Sequence, residues 1–206
     1  MPEIDFTMMY VTHDAFRRDL DRLLSAALTG TAYTPRVRAG WENFRAQLLL
    51  HHTVEDTALW PRVEARLGGA AEGLQLLAEM EEEHGRLDPL LAVVDDALRN
   101  GAPLLVEQVQ ALRETLVLHL EHEEQSALPL IQDVLPPADW RAFGAAMREA
   151  QGMKGAAVYV PWIVDGMGGD DRNRFLDRMP MPVRVLNRLL WEPRYHRRGM
   201  WHAPAV

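Results

Sequence analysis

The sequence predicts an all-α protein: an up-down-up-down four-helix bundle followed by a fifth helix and an irregular C-terminal extension. Three observations lead there. Apolar residues recur at three- and four-residue intervals over four long stretches, the spacing that lays one face of a helix against a core. Runs of strict apolar–polar alternation, the mark of half-buried strands, are missing. The stretches are joined by short connections rich in glycine and proline, and short connections force successive helices to run antiparallel.

The elements follow in order. The first stretch, about residues 6–29, carries Tyr10, Phe16, Leu20, Leu23 and Leu24 and stops at Gly30, a residue suited to the position after a helix end. The second, about 35–67, ends at Gly68 and Gly69. The third, about 72–100, has Leu74, Leu77, Leu87, Leu90, Leu91, Val94 and Leu98 at helical intervals and is closed by "NGAP". The fourth, about 104–134, ends before Pro136 and Pro137. A fifth helix is expected in "PADWRAFGAAMREAQG", with Asp139 or the prolines as its start signal, and the periodicity breaks up beyond Gly152. Residues 1–136 are therefore expected to form the bundle. Residues 137–206 are expected to pack over it, since none of their apolar pieces is long enough to form a core alone.

Composition narrows the chemistry. Of 206 residues, 48% are hydrophobic and 25% charged, which is ordinary for a globular enzyme or binding protein. A formal net charge of -8 argues against general affinity for nucleic acid and against an anionic membrane. Cysteine is absent, so disulfides, thiolate nucleophiles, iron–sulfur clusters and zinc–thiolate sites are excluded, and any metal must rest on His, Asp and Glu. The start of the chain lacks a basic segment followed by an apolar run, and the most apolar stretch, "GAAVYVPWIV", is too short to span a bilayer. A cytoplasmic protein is the expectation.

One segment occurs twice. "HHTVEDTALWP" at 51–61 aligns with "HLEHEEQSALP" at 119–129, pairing His51 with His119, Glu55 with Glu123, Asp56 with Glu124 and Pro61 with Pro129. Lone histidines lie on the other two helices, His13 before the first copy and His84 between the copies. Residues four apart on a helix share a face, with Cβ atoms roughly 5–6 Å apart, so each His-x-x-x-Glu pair presents an imidazole and a carboxylate to one point. In an antiparallel bundle the two pairs and the two lone histidines make a site for two metal ions with shared carboxylates. Imidazole and carboxylate without sulfur suit iron, and manganese or zinc also fit on ligand type. A ferritin-like scheme needs two Glu-x-x-His pairs, and only Glu81 with His84 is present. Pro61 and Pro129 predict a lost hydrogen bond and a kink at matching depth on both helices.

These residues, over about 7–135, resemble hemerythrin-like proteins of the HHE cation-binding family. The resemblance implies a non-haem di-iron centre, oxo- or hydroxo-bridged, held by His13, His51, Glu55, His84, His119 and Glu123 and meeting dioxygen or a related small oxidant such as peroxide or nitric oxide. One departure matters: the oxygen-carrying members have a second histidine four residues from the one on helix three, and here those positions are Met80 and Asp88. A vacant coordination position, or Glu81 as replacement ligand, follows. This departure, together with the long extension that could shape a pocket, leans the reading towards an oxidase or oxygenase with a small organic substrate. The alternative is a non-catalytic oxygen or iron binding or sensing protein, and a third class is a zinc-bound structural bundle.

Neighbouring residues receive supporting roles. His52 and His122 point to other faces than the ligands, and Asp56 and Glu124 either hydrogen-bond a ligating imidazole or are solvated acids. Tyr10, one turn before His13, either borders the pocket or, as preferred, is a core aromatic. Leu59, Trp60 and Leu128 are expected to wall off the centre. The tail "PVRVLNRLLWEPRYHRRGMW" is basic and amphipathic. It is read as covering an apolar flank with Val185, Leu189, Leu190 and Trp191 while its arginines pair with the acidic bundle, the alternative being a membrane surface or an anionic partner.

Overall fold

The computed structural model describes residues 3–101 and 103–201, and among them there is no strand. The four long antiparallel helices stand where the periodicity puts them. The first is α1, Thr7–Leu28. The second consists of α2, Pro35–Val54, and α3, Trp60–Leu67, joined by a π-helical turn at Glu55–Leu59. The third is α4, Ala71–Asn100, which runs through Pro89. The fourth repeats the second: α5, Leu105–His122, a π turn at Glu123–Ala127, and α6, Leu128–Val134. Local signals set the ends. Pro35 occupies the first turn of α2, and the Thr34 hydroxyl accepts the Val37 N–H at 3.4 Å. Ala102 of the "NGAP" connection and residues 202–206 of the tail lie outside the described residues.

The extension is helical rather than irregular. It comprises α7, Pro137–Val164, then α8, Gly169–Asp177, α9, Met181–Leu186, a third π turn at Asn187–Trp191, and α10, Glu192–Arg198. α7 breaks at Gly152, whose φ of 59° and ψ of 178° belong to a region that only glycine occupies readily. The later helices are short and bury little: Phe175 in α8, Tyr195 in α10 and no residue in α9. No run is long enough to show a period in the sequence. The chain is nevertheless fastened. Trp162 is fully buried against Phe16, and near the end the Trp201 ring lies so close to Gly40 that a Cβ there would collide with it.

The tail packs differently from the expectation. Trp191 is buried, but Val185, Leu189 and Leu190 are exposed. Of the tail's arginines, Arg184 pairs with Asp177 inside the extension, while the pairs of Arg178 with Asp5 and of Arg172 with Glu192 are made from the helix before it. The reason is geometric: Asn187, Trp191 and Tyr195, four residues apart, form the inward stripe, which turns Val185 and Leu189 to the opposite side.

The apolar core divides into two clusters. One contains Phe16, Leu48, Leu87 and Leu116 and the other Met9, Val54, Met80 and Ala127. On each bundle helix one residue type lies between them, namely His13, His51, His84 and His119. A buried polar layer thus cuts across the bundle. No described helix is long and apolar enough to cross a membrane.

Candidate metal centre

Two groups of buried ligand atoms fill this layer. His13, His51, Glu55 and Glu123 form one and His52, His84 and His119 the other, and within each group the ligand atoms lie within 4.8 Å of one another. In the first group the Nε2 atoms of His13 and His51 are 3.3 Å apart, His13 Nε2 is 3.2 Å from Glu123 Oε2, and His51 Nε2 is 3.0 Å from Glu55 Oε1. Donors bound to one metal at roughly 2.0–2.2 Å are separated by about this much. The second oxygen of Glu55 lies 3.7 Å from His84 Nε2. One carboxylate therefore reaches into both groups.

Acceptors outside the layer orient the imidazoles. His13 Nδ1 is 2.8 Å from Glu124, His84 Nδ1 is 2.8 Å from Asp56, and His119 Nδ1 is 2.9 Å from Glu83. With Nδ1–H donating to a carboxylate, Nε2 keeps its lone pair and faces the interior, an arrangement that fixes the tautomer and raises ligand basicity. Arg17 anchors Glu124 at 2.9 Å, and Glu83 also binds His122 at 3.0 Å. The aliphatic and aromatic wall is in place: Leu59, Trp60 and Leu128 are buried.

The π turns explain how proline is accommodated beside the ligands. Trp60 N–H donates to the Glu55 carbonyl and Leu128 N–H to the Glu123 carbonyl, five residues back in each case. Pro61 and Pro129 follow directly. A proline has no N–H for the carbonyl four residues earlier, and its ring crowds that carbonyl. Shifting the preceding turn to a five-residue bond relieves the conflict, so a widened turn stands where the sequence led us to expect a kink. Each widened turn starts on a glutamate of the layer, Glu55 or Glu123.

The seven side chains fit metal ions and little else. Both oxygens of Glu55 and Glu123, and the Nε2 atoms of His52, His84 and His119, are buried with no hydrogen-bond partner. Each such atom carries a penalty of about 1–3 kcal/mol, and buried carboxylates demand a counter-charge. Protonation is strained accordingly. Burial, with the charge of Glu123 beside it, holds the Glu55 carboxyl well above the ordinary range. Burial depresses His51 to about 3 and His52 well below its ordinary value. For His13 burial also acts downward, but Glu123 and Glu124 outweigh it and raise the imidazole to about 9; that proximity in turn draws Glu123 down to about 2.

All six residues that the repeat singles out lie in the layer, and His52 joins them. Its ring stacks on His84 at 3.9 Å and 9°, and it occupies the second group instead of an outer face. The sequence carried the signal as the doubled histidine opening "HHTVEDTALWP" together with the missing imidazole at Met80. Glu81 is exposed and outside both groups; it lines a surface groove of about 240 Å³ with Asp56 and Trp60. Tyr10 is 42% exposed and is neither core nor pocket residue. A half-buried phenol comes instead from Tyr159, whose hydroxyl is 2.7 Å from the Thr12 hydroxyl, next to His13. Asp56 and Glu124 hydrogen-bond the imidazoles of His84 and His13. Glu83, which sequence reasoning passed over, does the same for His119, and only its position one residue before His84 hinted at it.

Comparison with known proteins agrees with this geometry. The family model described as Hemerythrin HHE cation binding domain matches residues 5–131. No curated protein and no solved structure matches the chain. The match spans α1 to α6, the stretch that contributes every residue of the buried layer, and the chain belongs to the hemerythrin HHE cation-binding family.

Proposed function

We propose that the chain holds two iron ions and binds dioxygen, or a related small oxidant such as peroxide or nitric oxide, between them. His13 and His51 would hold one ion, His52, His84 and His119 the other, and Glu55 and Glu123 would be shared. The observation that carries this reading is Glu55, whose two unpartnered oxygens face imidazoles of different groups. Iron supplies the electrons that dioxygen chemistry requires, and imidazole with carboxylate suits it. The protein's own part is to orient and to exclude. Glu124, Asp56 and Glu83 hold three imidazoles in register. Leu59, Leu128 and Trp60 keep bulk water and large molecules out.

The expectation of an oxidase or oxygenase rested on a missing imidazole and on a long extension able to shape a pocket, and His52 would supply the imidazole. Burial of every ligand favours binding of a small molecule over oxygenation of a bulky one. The oxidase reading stands second, supported by the groove of about 240 Å³ beside Asp56, through which a small organic molecule can approach the acceptor of His84. Metal analysis of protein from iron-sufficient medium is expected to give close to two irons per chain. Predominant zinc would overturn the proposal. Anaerobic reduction followed by oxygen exposure, watched optically, then separates the two readings: a reversible adduct supports binding, and rapid irreversible oxidation supports an oxidase.

A further inference from the structure

Among the described residues, the outward face of the segment from Met181 to Arg198 is exposed. Asn187, Trp191 and Tyr195 hold this segment to the rest of the protein by its inner side. On the other side Met181, Val185 and Leu189, also four residues apart, are exposed to 67%, 46% and 66%, with Leu190 at 43%. Arg188, Arg194 and Arg197 are exposed along the same helix. The segment contains five arginines and one acid, Glu192, a net charge of +4 in a chain of -8, which leaves -12 on the remainder. The acidic average that argues against an anionic membrane therefore conceals one basic face.

We propose that this face is an in-plane anchor for an anionic lipid bilayer. A convex apolar ridge bordered by guanidinium groups matches the boundary between headgroups and acyl chains: the aliphatic side chains enter the boundary, while arginines reach phosphates at its edge. Charge also sets the orientation. The strongly acidic remainder is repelled by the same surface, so the molecule meets it with this helix first.

The test is co-sedimentation of the full, metal-loaded chain with phosphatidylcholine vesicles that contain or lack about one-third phosphatidylglycerol. Partitioning onto the anionic vesicles is expected to be at least about tenfold stronger. The double variant Val185→Asp with Leu189→Asp should lose at least about tenfold of that binding, as should Arg188→Glu with Arg194→Glu, with thermal stability and iron content unchanged because all four side chains are exposed. Failure of the wild-type chain to sediment with anionic vesicles overturns the proposal, and so does undiminished binding by the aspartate variant. A concentration-dependent dimer in light scattering, abolished by Leu189→Asp in a chain that ignores vesicles, would assign the ridge to a second copy instead. None of these readouts depends on oxidant chemistry, so they fail or succeed separately from the function proposed above.

Discussion

His52 shows what a single imidazole decides. His51 and His52 are consecutive, so an ideal α-helix would turn their side chains about 100° apart, and the sequence alone assigns only one of them to the interior. Both are buried because the helix lies between the two ligand groups, one residue feeding each. His52→Ala is expected to lower bound iron from about two to about one per chain, since the group left to His84 and His119 loses its third imidazole while the His13 group is intact. Full retention of iron would return His52 to a supporting role. Glu55→Gln tests the shared carboxylate. It keeps the volume but removes the charge that reaches both groups, and both ions should be lost or weakened by about 10–100-fold, measured by metal titration.

At the level of elements, much of the fold was legible and part of it was hidden. The four bundle helices were legible because each carries a long apolar stripe and stops at glycine or proline. The fifth helix was legible as far as Gly152 and stands as the first part of α7, but the rest of the extension was not, because its later helices are short and each gives the core at most one or two side chains. Trp162 is fully buried, and its indole N–H donates to Asp19 at 2.7 Å. Asp19 also faces Arg18 and Arg22, and Arg22 bridges to Asp165, which accepts the Tyr195 hydroxyl at 3.1 Å. α1 is thereby tied to the end of α7 and, through Asp165, to Tyr195 of α10. Trp162→Phe removes a hydrogen bond to a buried carboxylate and should cost about 1.5–3 kcal/mol, read by denaturant unfolding.

Asp165 adds a pH dependence to that tie. Burial works against its charge, but the hydrogen bond and charge of Arg22 outweigh burial and its pKa falls below the ordinary 3.8. A carboxyl lowered in the folded state stabilises the fold above its unfolded value and loses that contribution as pH falls through the folded one. Asp165→Asn should therefore lower the melting temperature at pH 7, with the gap from wild type narrowing below about pH 4. A constant gap would mean that the aspartate acts by shape alone. The π turns share one local cause. In all three the widened turn ends two residues before a proline, at Pro61, Pro129 and Pro193. The prolines were visible in the sequence; which response they would provoke, bend or widening, depended on packing that it does not display.

Across the whole molecule, the division between readable and unreadable follows the range of the interaction. Most of the residues that meet in the buried layer stood out in the sequence, four through a repeat within the chain and two as lone histidines, and His52 did not. The partners Glu83, Glu124 and Asp56 depended on which helices stand side by side, and only the assembled bundle selects them. The same assembly seals the layer: His13, Glu55 and Glu123 are fully buried and His51 and His119 nearly so. An ion seated there cannot leave down a channel of solvent. It must wait until neighbouring helices part, and such local opening has its own free energy and rate. Release to a strong chelator is accordingly expected to show a plateau, with a rate that stops rising once the chelator outcompetes reclosing. Retention of metal is then a property of how often the bundle breathes, and a protein with only moderate affinity would keep its ions through long exposure to competitors.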